Sequence, residues 1–251
     1  MKERDSNIEL LRILATIFVL ILHCNGWFLF KLGGIPGWNT GNSVVAACRI
    51  LVQNITVLGV DAFILISGFY GIRPKLKSIV NLFTLLFFFY VGCYLWNCGI
   101  GHDTFSYVGL FGNMKAFSRT NWFISGYLYL TLLAPMINAF SDHVSLKNLG
   151  LYIILYCATT LYLGYYQGNE YWWYNGGFSV TMMVGVYLVG RYLYKVVDKI
   201  DQIKNWYIAT AFVGVLGIMS VIRILSSNEE SWLHYGSPIT ISAAVLFFLL
   251  F

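Results

Sequence analysis

Three ionisable side chains stand in one apolar, helix-length run near the start of the chain: Glu9, Arg12 and His23. In an α-helix, Arg12 and His23 would be separated by a rise of roughly 16 Å and would lie within roughly 20° of the same face. Glu9 lies one turn before Arg12 and can pair with it. Ionisable groups at membrane depth face protein or water and are functional candidates. We call Glu9, Arg12 and His23 the polar stripe.

The chemistry of the two ends of this stripe differs. A neutral histidine is suited to take a proton from a hydroxyl group near neutral pH. An arginine suits a phosphate-bearing ligand, because its planar fork matches phosphate oxygens. Taken singly, Arg12 could reach toward lipid headgroups and His23 could bond between helices. Taken together on one face, they favour a functional site.

A second candidate is Asp61, which lies in the middle of the apolar run 59–71. A carboxylate there needs a partner, and His23 or another residue of the bundle is the candidate. Ser67 and Gly68 follow on the same run and have two interpretations. They form either a small-residue contact between helices or a helix break at which a ligand approaches the backbone.

The composition is that of an integral membrane protein. Of the 251 residues, 58% are hydrophobic and 11% are charged, whereas a soluble domain has about 25% charged residues. The net charge of +5 does not indicate a nucleic-acid partner, because the basic residues are spread over the loops between apolar segments. The five cysteines show no zinc-type spacing, and the sequence predicts no metal site.

Apolar runs of about 20 residues predict an all-α fold, a polytopic transmembrane helical bundle. About eight spans are predicted, the last of them truncated at the end of the chain: Ile8–Phe28, Val44–Tyr70, Ile79–Trp96, Asn121–Phe140, Leu146–Tyr165, Phe178–Tyr194, Trp206–Leu225 and Pro238–Phe251. The second span is long enough to be tilted or broken. We expect a single membrane domain over residues 1–251 that lacks its C-terminal helices.

The orientation follows from the basic residues of alternate loops. Ten Lys and Arg residues, Arg191 among them, lie on the side of the N-terminus, and four, including Arg49, lie on the other side. An excess of positive charge marks cytoplasmic loops. The sequence therefore predicts a multi-pass protein of the plasma membrane with a cytoplasmic N-terminus, with Arg12 near the cytoplasmic face and His23 near the outer one.

Three groups of residues, taken in order along the chain, resemble the acyltransferase-3 family. They are Arg12 and His23 with ten residues between them, Asp61 followed by Ser67-Gly68-Phe69, and the segment Trp122–Asn138. The resemblance continues to Ser237-Pro-Ile-Thr240 and so covers essentially the whole chain. Members of this family are membrane-bound enzymes that O-acetylate bacterial surface glycans.

The resemblance implies roles for particular residues. His23 would be the catalytic base, Arg12 would bind or position acyl-CoA, and Glu9 takes the place of an acidic residue three positions before the arginine. In the family, spaced arginines follow the Ser-Gly-Phe motif. In this chain the corresponding basic residues are Arg73, Lys75 and Lys77. They keep the positive charge, but the two lysines cannot bind phosphate in a bidentate manner. Family members usually have about ten helices.

The expected function is transfer of an acetyl group from acetyl-CoA to a hydroxyl of a cell-surface polysaccharide or its lipid-linked precursor. Asp61 would orient His23, and Ser67 and Trp122 are candidates for binding the acceptor. The expected partners are this saccharide acceptor and the lipid bilayer, with no metal and no nucleic acid; the oligomeric state and the route of the acyl group across ~30 Å of hydrocarbon are open.

Two other classes of function fit the same residues. Glu9, Arg12, His23 and Asp61 could form the relay of a proton-coupled transporter or channel. A non-catalytic fragment or assembly partner is the third class. Consumption of acetyl-CoA by the purified protein discriminates the first class from the transporter.

Overall fold

The structure is a computed structural model that describes residues 6–25, 43–112, 122–166, 177–225 and 232–251. These ranges contain α-helices and no β-strand. The helices are α1 (Ser6–His23), α2 (Ser43–Thr56), α3 (Leu58–Tyr70), α4 (Leu76–Gly99), α5 (Trp122–His143), α6 (Leu146–Tyr166), α7 (Val180–Ile200), α8 (Asn205–Leu225) and α9 (Pro238–Phe248). Seven segments of the described chain are long and apolar enough to cross a membrane. The prediction of an all-α polytopic bundle is confirmed.

The second predicted span consists of two helices, α2 and α3, which are separated by Val57. The hydroxyl of Thr56 donates to the carbonyl of Val52 at 2.7 Å, and such bonds compete with the helical ladder and bend helices. The backbone of Val57 remains helical, and its N–H donates to the carbonyl of Gln53 at 3.0 Å. The interruption is therefore a bend within one span.

Two other spans are longer than predicted. The third extends about one turn further at each end, as α4, and the sixth continues past Tyr194 to Ile200, as α7. The start of α7 is fixed by Ser179, whose hydroxyl accepts from the N–H of Met182 at 3.3 Å, because such a cap satisfies an N–H that has no partner within the helix. The predicted boundaries Phe28 and Asn121 lie outside the described residues.

The surface of α4 is that of a lipid-facing helix. Of its 24 residues, Leu86 and Tyr94 are buried. Phe88 and Phe89 each expose about two thirds of their surface (66% and 64%). Apolar surface as continuous as this is suited to hydrocarbon rather than to water.

The chain divides into two compact units, the first comprising Met1–Gly71 and Asn138–Phe251 and the second Ile72–Ile137. In the first unit, α3 is the central helix: it packs against α1, α7 and α9, and nine of its 13 residues are buried. The second unit contains α4 and the first part of α5. There the hydroxyl of Tyr94 accepts from the N–H of Ser106 at 2.9 Å.

Glycines allow α3 to lie close to its neighbours. A Cβ atom on Gly59 would lie 2.8 Å from the carbonyl oxygen of Ala15 in α1. In the contact between α3 and α7, a Cβ atom on Gly190 of α7 would lie 2.9 Å from the Cα atom of Gly68 of α3. Small residues let helix backbones approach in this way in membranes. Of the two interpretations of Ser67-Gly68, the contact between helices is confirmed.

The last helix, α9, is an integral part of the first unit. Ser237 caps it by accepting from the N–H of Thr240 at 3.2 Å, and Pro238 occupies its first turn as predicted. Near the other end, the ring centroid of Phe247 lies 5.3 Å from that of Phe18 in α1. The start of α9 is therefore capped by Ser237, and its end packs against α1 through Phe247.

Candidate active site

The polar stripe lies on an exposed side of α1. Nη1 of Arg12 donates to Oε1 of Glu9 at 2.6 Å, so the predicted pair is confirmed. The hydroxyl of Thr16 donates to the carbonyl of Arg12 at 2.9 Å. His23 is the last residue of the same uninterrupted helix and is exposed. Both ends of the stripe are thus accessible from outside the helix bundle.

The stripe borders the packed face of α1 without being part of it. The buried residues of α1 are Ile8, Leu11 and Ala15. At about 100° per residue, Arg12 and His23 lie roughly 100–120° around the helix from Leu11. Helix α1 therefore uses one face to pack against α3 and presents the ionisable groups on the adjoining side.

Asp61 does not join this stripe. Its side chain is fully buried, and neither carboxylate oxygen has a hydrogen-bond partner among the described residues. The expected contact with His23 is therefore absent. Gly59 of α3 packs against Val19 of α1. From this contact, His23 lies four residues further along α1, and Asp61 lies two residues along α3 in the opposite direction. The two side chains are therefore separated by roughly 9 Å along the helix axes. Asp61 therefore makes no hydrogen bond to His23 among the described residues, and its role in catalysis stays a prediction.

The segment 232–237, which precedes α9 and which we call the pre-α9 segment, brings Tyr235 close enough to Asp61 for the charge of the carboxylate to act on it. Burial lowers the pKa of His234 from its ordinary value of 6.5 to about 4. Burial, and secondarily the charge of Asp61, raise the pKa of Tyr235. Both side chains are therefore neutral at pH 7. Sequence reasoning missed them, although they directly precede the Ser237-Pro motif.

A left-handed turn holds the pre-α9 segment in place. Gly177 has a φ of +85°, and a Cβ atom there would lie 3.1 Å from the backbone nitrogens of Tyr235 and Gly236. Glycine adopts such a φ without the steric penalty of other residues. The rings of Phe178 and Tyr235 then meet edge to face with centroids 5.3 Å apart.

The other predicted site residues either have local contacts or are exposed. The hydroxyl of Ser67, which is half-buried, donates to the carbonyl of Phe63 at 2.8 Å. Trp122, in the second unit, begins α5 and meets the ring of Phe123 edge to face at 5.9 Å. Three exposed basic side chains follow α3 and also belong to the second unit: Arg73, Lys75 and Lys77. Within the described ranges, no group of three or more His, Cys, Asp or Glu residues could hold a metal ion.

Arg191, which lies in the sixth predicted span and which the charge count assigned to the side of the N-terminus, is a buried residue of α7. Its Nε donates to the hydroxyl of Ser141 at 3.1 Å, and its Nη2 donates to Oδ1 of Asp142 at 2.7 Å. Its guanidinium carbon lies 5.3 Å from the ring centroid of Tyr194. Arg191, like Arg12, lies within an apolar run of the sequence, but Arg12 is singled out because Glu9 and His23 share its helix face.

Two further contacts complete the surroundings of Arg191. The hydroxyl of Tyr187 donates to Oδ1 of Asn138 at 2.7 Å. Gly71 has a φ of +73°, and a Cβ atom there would lie 3.1 Å from Nη1 of Arg191 and 3.6 Å from Oδ1 of Asn138. The end of α3, the second half of α5 and the middle of α7 therefore meet at one point. We call this set the Arg191 cluster: Gly71, Asn138, Ser141, Asp142, Tyr187 and Arg191.

Polar contacts also join α2 to α8. Nε of Arg223 donates to Oδ1 of Asn54 at 2.6 Å, and Nδ2 of Asn54 donates to the hydroxyl of Ser220 at 2.9 Å. Arg49, which lies in the second predicted span and which the charge count assigned to the outer side, is buried in α2. Counting basic residues between predicted spans cannot separate a loop residue from one that turns its side chain into the bundle.

Comparison with known proteins places these residues in a family. A search of curated proteins and a search of solved structures each found no match. The model of one protein family, described as an acyltransferase domain, matches residues 5–251. The match includes the polar stripe, Asp61 and the pre-α9 segment. The chain therefore belongs to the acyltransferase-3 family and is a multi-pass membrane acyltransferase.

Proposed function

We propose that the protein is an O-acyltransferase of the plasma membrane. It moves an acetyl group from acetyl-CoA to a hydroxyl of a cell-surface polysaccharide or of its lipid-linked precursor. The observation that supports this proposal is the polar stripe, with the Glu9–Arg12 pair toward one end of an exposed helix side and His23 at the other, in a chain of the acyltransferase-3 family. The family assignment favours this function over a proton-coupled transporter.

His23 is the proposed general base. Its imidazole takes the proton of the acceptor hydroxyl, and the oxygen then attacks the carbonyl carbon of the thioester. A C–O bond forms, the C–S bond breaks, and the CoA thiolate leaves and is protonated. The exposure of His23 at the end of α1 supports this role, because a bulky acceptor can reach it.

Arg12 is the proposed donor residue. Its guanidinium is held by Glu9 at 2.6 Å, and its side chain remains 44% exposed. An arginine oriented by one carboxylate still has N–H groups to offer to a phosphate oxygen. The exposed basic side chains after α3 supply further positive charge for the phosphates of acetyl-CoA: Arg73, Lys75 and Lys77.

Ser67 and Trp122 are the proposed contacts to the acceptor. The indole ring of Trp122 is suited to stacking on a sugar, and the hydroxyl of Ser67 can exchange hydrogen bonds with one. In this proposal the N-terminus lies in the cytoplasm, so that acetyl-CoA approaches the Arg12 end of the stripe and the saccharide approaches the His23 end.

Mass spectrometry of the surface glycan tests this function. Cells that carry the gene are compared with cells that lack it and with cells that express His23→Gln. The expected result is O-acetylation with the gene and a loss of roughly 10²–10⁴-fold in transfer rate with His23→Gln. His143→Gln is the matched control, because His143 is also an exposed histidine at the end of a helix. Wild-type acetylation by His23→Gln would contradict the assignment of the base.

The donor is tested separately with the purified protein in lipid nanodiscs. Release of the free thiol of CoA from acetyl-CoA is followed, and binding of acetyl-CoA is measured by calorimetry. Saturable binding is expected in the wild type. A wild-type protein that neither binds nor consumes acetyl-CoA would contradict the proposed donor.

A further inference from the structure

The guanidinium of Arg191 is buried, and its nitrogens are directed to three different places. Nε and Nη2 are engaged by Ser141 and Asp142 at the end of α5. Nη1 lies against Gly71, the residue at which α3 ends. A planar group with three nitrogens in fixed positions can hold two backbone segments in one mutual geometry, which a single ammonium group cannot do.

Gly71, which lies beside this guanidinium, has a left-handed backbone conformation. Its φ of +73° is one that residues with a side chain rarely adopt. Its N–H donates to the carbonyls of Ser67 and Gly68 at 3.0 and 3.2 Å, so the turn closes the last residues of α3. The direction in which the chain leaves α3 is therefore set at Gly71.

We propose that Arg191 is a positioning residue for the acyl donor, acting through Gly71 on the basic segment that begins two residues later at Arg73. This inference rests on the proposed function, in which Arg73, Lys75 and Lys77 bind the phosphates of acetyl-CoA. Arg191 itself touches no donor, because its side chain is 9% exposed and is engaged by protein groups. Its contribution is to fix the backbone from which these side chains extend.

The first test is Arg191→Lys. Lysine keeps the charge but cannot reach Ser141, Asp142 and Gly71 at once, because it lacks the planar fork. The expected result is an increase of roughly tenfold in the KM and the calorimetric Kd for acetyl-CoA, the loss expected for one charge-assisted phosphate contact. The kcat should stay within about twofold, since the chemistry at His23 is not altered.

The matched control for charge is Lys199→Gln. Lys199 is an exposed basic residue of the same helix, α7, and its replacement should leave KM, Kd and kcat unchanged. A fall in kcat with an unchanged Kd in Arg191→Lys would overturn the inference, as would an unchanged KM and Kd.

The second test keeps every charged group and changes only the contact between Gly71 and Arg191. Gly71→Ala places a Cβ atom 3.1 Å from Nη1 of Arg191 at a φ that alanine does not favour. It should raise the Kd for acetyl-CoA as Arg191→Lys does. Gly214→Ala is the control, because a Cβ atom on Gly214 of α8 meets nothing within 4 Å.

The two tests together separate the possible outcomes. If Arg191→Lys does not fold, as judged by size-exclusion chromatography and thermal unfolding, Gly71→Ala decides: a normal Kd in that variant would overturn the inference. If the wild type itself neither binds nor consumes acetyl-CoA, the proposed function fails, and the inference fails with it. If the wild type binds acetyl-CoA and both variants bind it equally well, the inference alone fails.

Discussion

Gly68 of α3 and Gly190 of α7 lie backbone to backbone. A Cβ atom on Gly68 would come within 3.1 Å of the Cα atom of Gly190 and would overlap the carbonyl oxygen of Tyr187. The contact involves fixed main-chain atoms on both sides, so it cannot be relieved by rotating a side chain. The packing of the two helices therefore depends on the absence of a side chain at both positions.

Gly68→Ala and Gly190→Ala should each lower the free energy of unfolding by about 1–3 kcal/mol or more, the usual range for overpacking. Gly217→Ala in α8 is the matched control, because a Cβ atom there meets nothing within 4 Å. It should be neutral or stabilising by up to about 1 kcal/mol. Thermal unfolding of the purified variants in detergent measures the difference, and equal stability of Gly68→Ala and Gly217→Ala would contradict the packing described.

Asp61→Leu should stabilise the fold while reducing acyl transfer. Both oxygens of Asp61 are buried without a hydrogen-bond partner in the described part of the chain, and an unsatisfied buried polar group costs about 1–3 kcal/mol. Leucine removes that penalty with the same number of side-chain heavy atoms, whereas Asp61→Asn keeps a polar group and should stabilise less. Thermal unfolding and glycan acetylation are measured on both variants.

Asp198→Leu provides the comparison for Asp61. Asp198 is an exposed carboxylate of α7, and its replacement should change stability by less than about 0.5 kcal/mol. A loss of stability in Asp61→Leu would show that Asp61 has a stabilising partner. Full acetylation by a stabilised Asp61→Leu would remove Asp61 from the catalytic residues.

The sequence was most informative where the signal was local. The Glu9–Arg12 pair follows from helical spacing alone, and the structure confirms it. The interaction of Asp61 with Tyr235 could not be predicted, because Tyr235 is more than 170 residues away in the sequence. Arg191 was misjudged for a different reason: a charge count treats each basic residue as a loop residue, and burial depends on the tertiary contacts of α7.

Arg12→Lys and His23→Gln should fail in different ways. Arg12→Lys keeps the charge but loses the planar fork, so it should raise the KM for acetyl-CoA and retain turnover. His23→Gln has no basic nitrogen, so it should bind acetyl-CoA normally and turn over roughly 10²–10⁴-fold more slowly. Calorimetry beside a turnover assay distinguishes the two. If His23→Gln loses donor binding while Arg12→Lys keeps it, the two ends of the stripe have been assigned the wrong way round.

His234 should make the fold sensitive to acid. Its pKa is about 4 in the folded protein and 6.5 ordinarily, so the unfolded chain binds more protons between these values. The free energy of unfolding therefore has its highest contribution from His234 above pH 6.5. That contribution declines as the pH falls toward 4 and is constant below pH 4. The total loss is about 3 kcal/mol at 1.36 kcal/mol for each pKa unit.

The measurement is thermal unfolding at pH 7, 5.5 and 4 for the wild type and for His234→Gln. The difference in thermal stability between the wild type and His234→Gln should become smaller as the pH falls, because the variant has no imidazole to protonate. His102→Gln is the control, since the side chain of His102 is 75% exposed. The same pH dependence in the wild type and in His234→Gln would contradict the burial of a neutral His234.

The proximity of Gly71 and Asn138 has a consequence for the topology of the chain. A Cβ atom on Gly71 would lie 3.6 Å from Oδ1 of Asn138, and these two residues are the last before, and the first after, the compact unit Ile72–Ile137. The chain therefore leaves and re-enters the larger unit at neighbouring points, as it does around an inserted domain. A linker of roughly two or three residues, at about 3.5 Å for each, spans such a gap. Because α5 runs from Trp122 to His143 across the boundary at Asn138, the return from residues 72–137 into the larger unit is a rigid helix rather than a flexible linker.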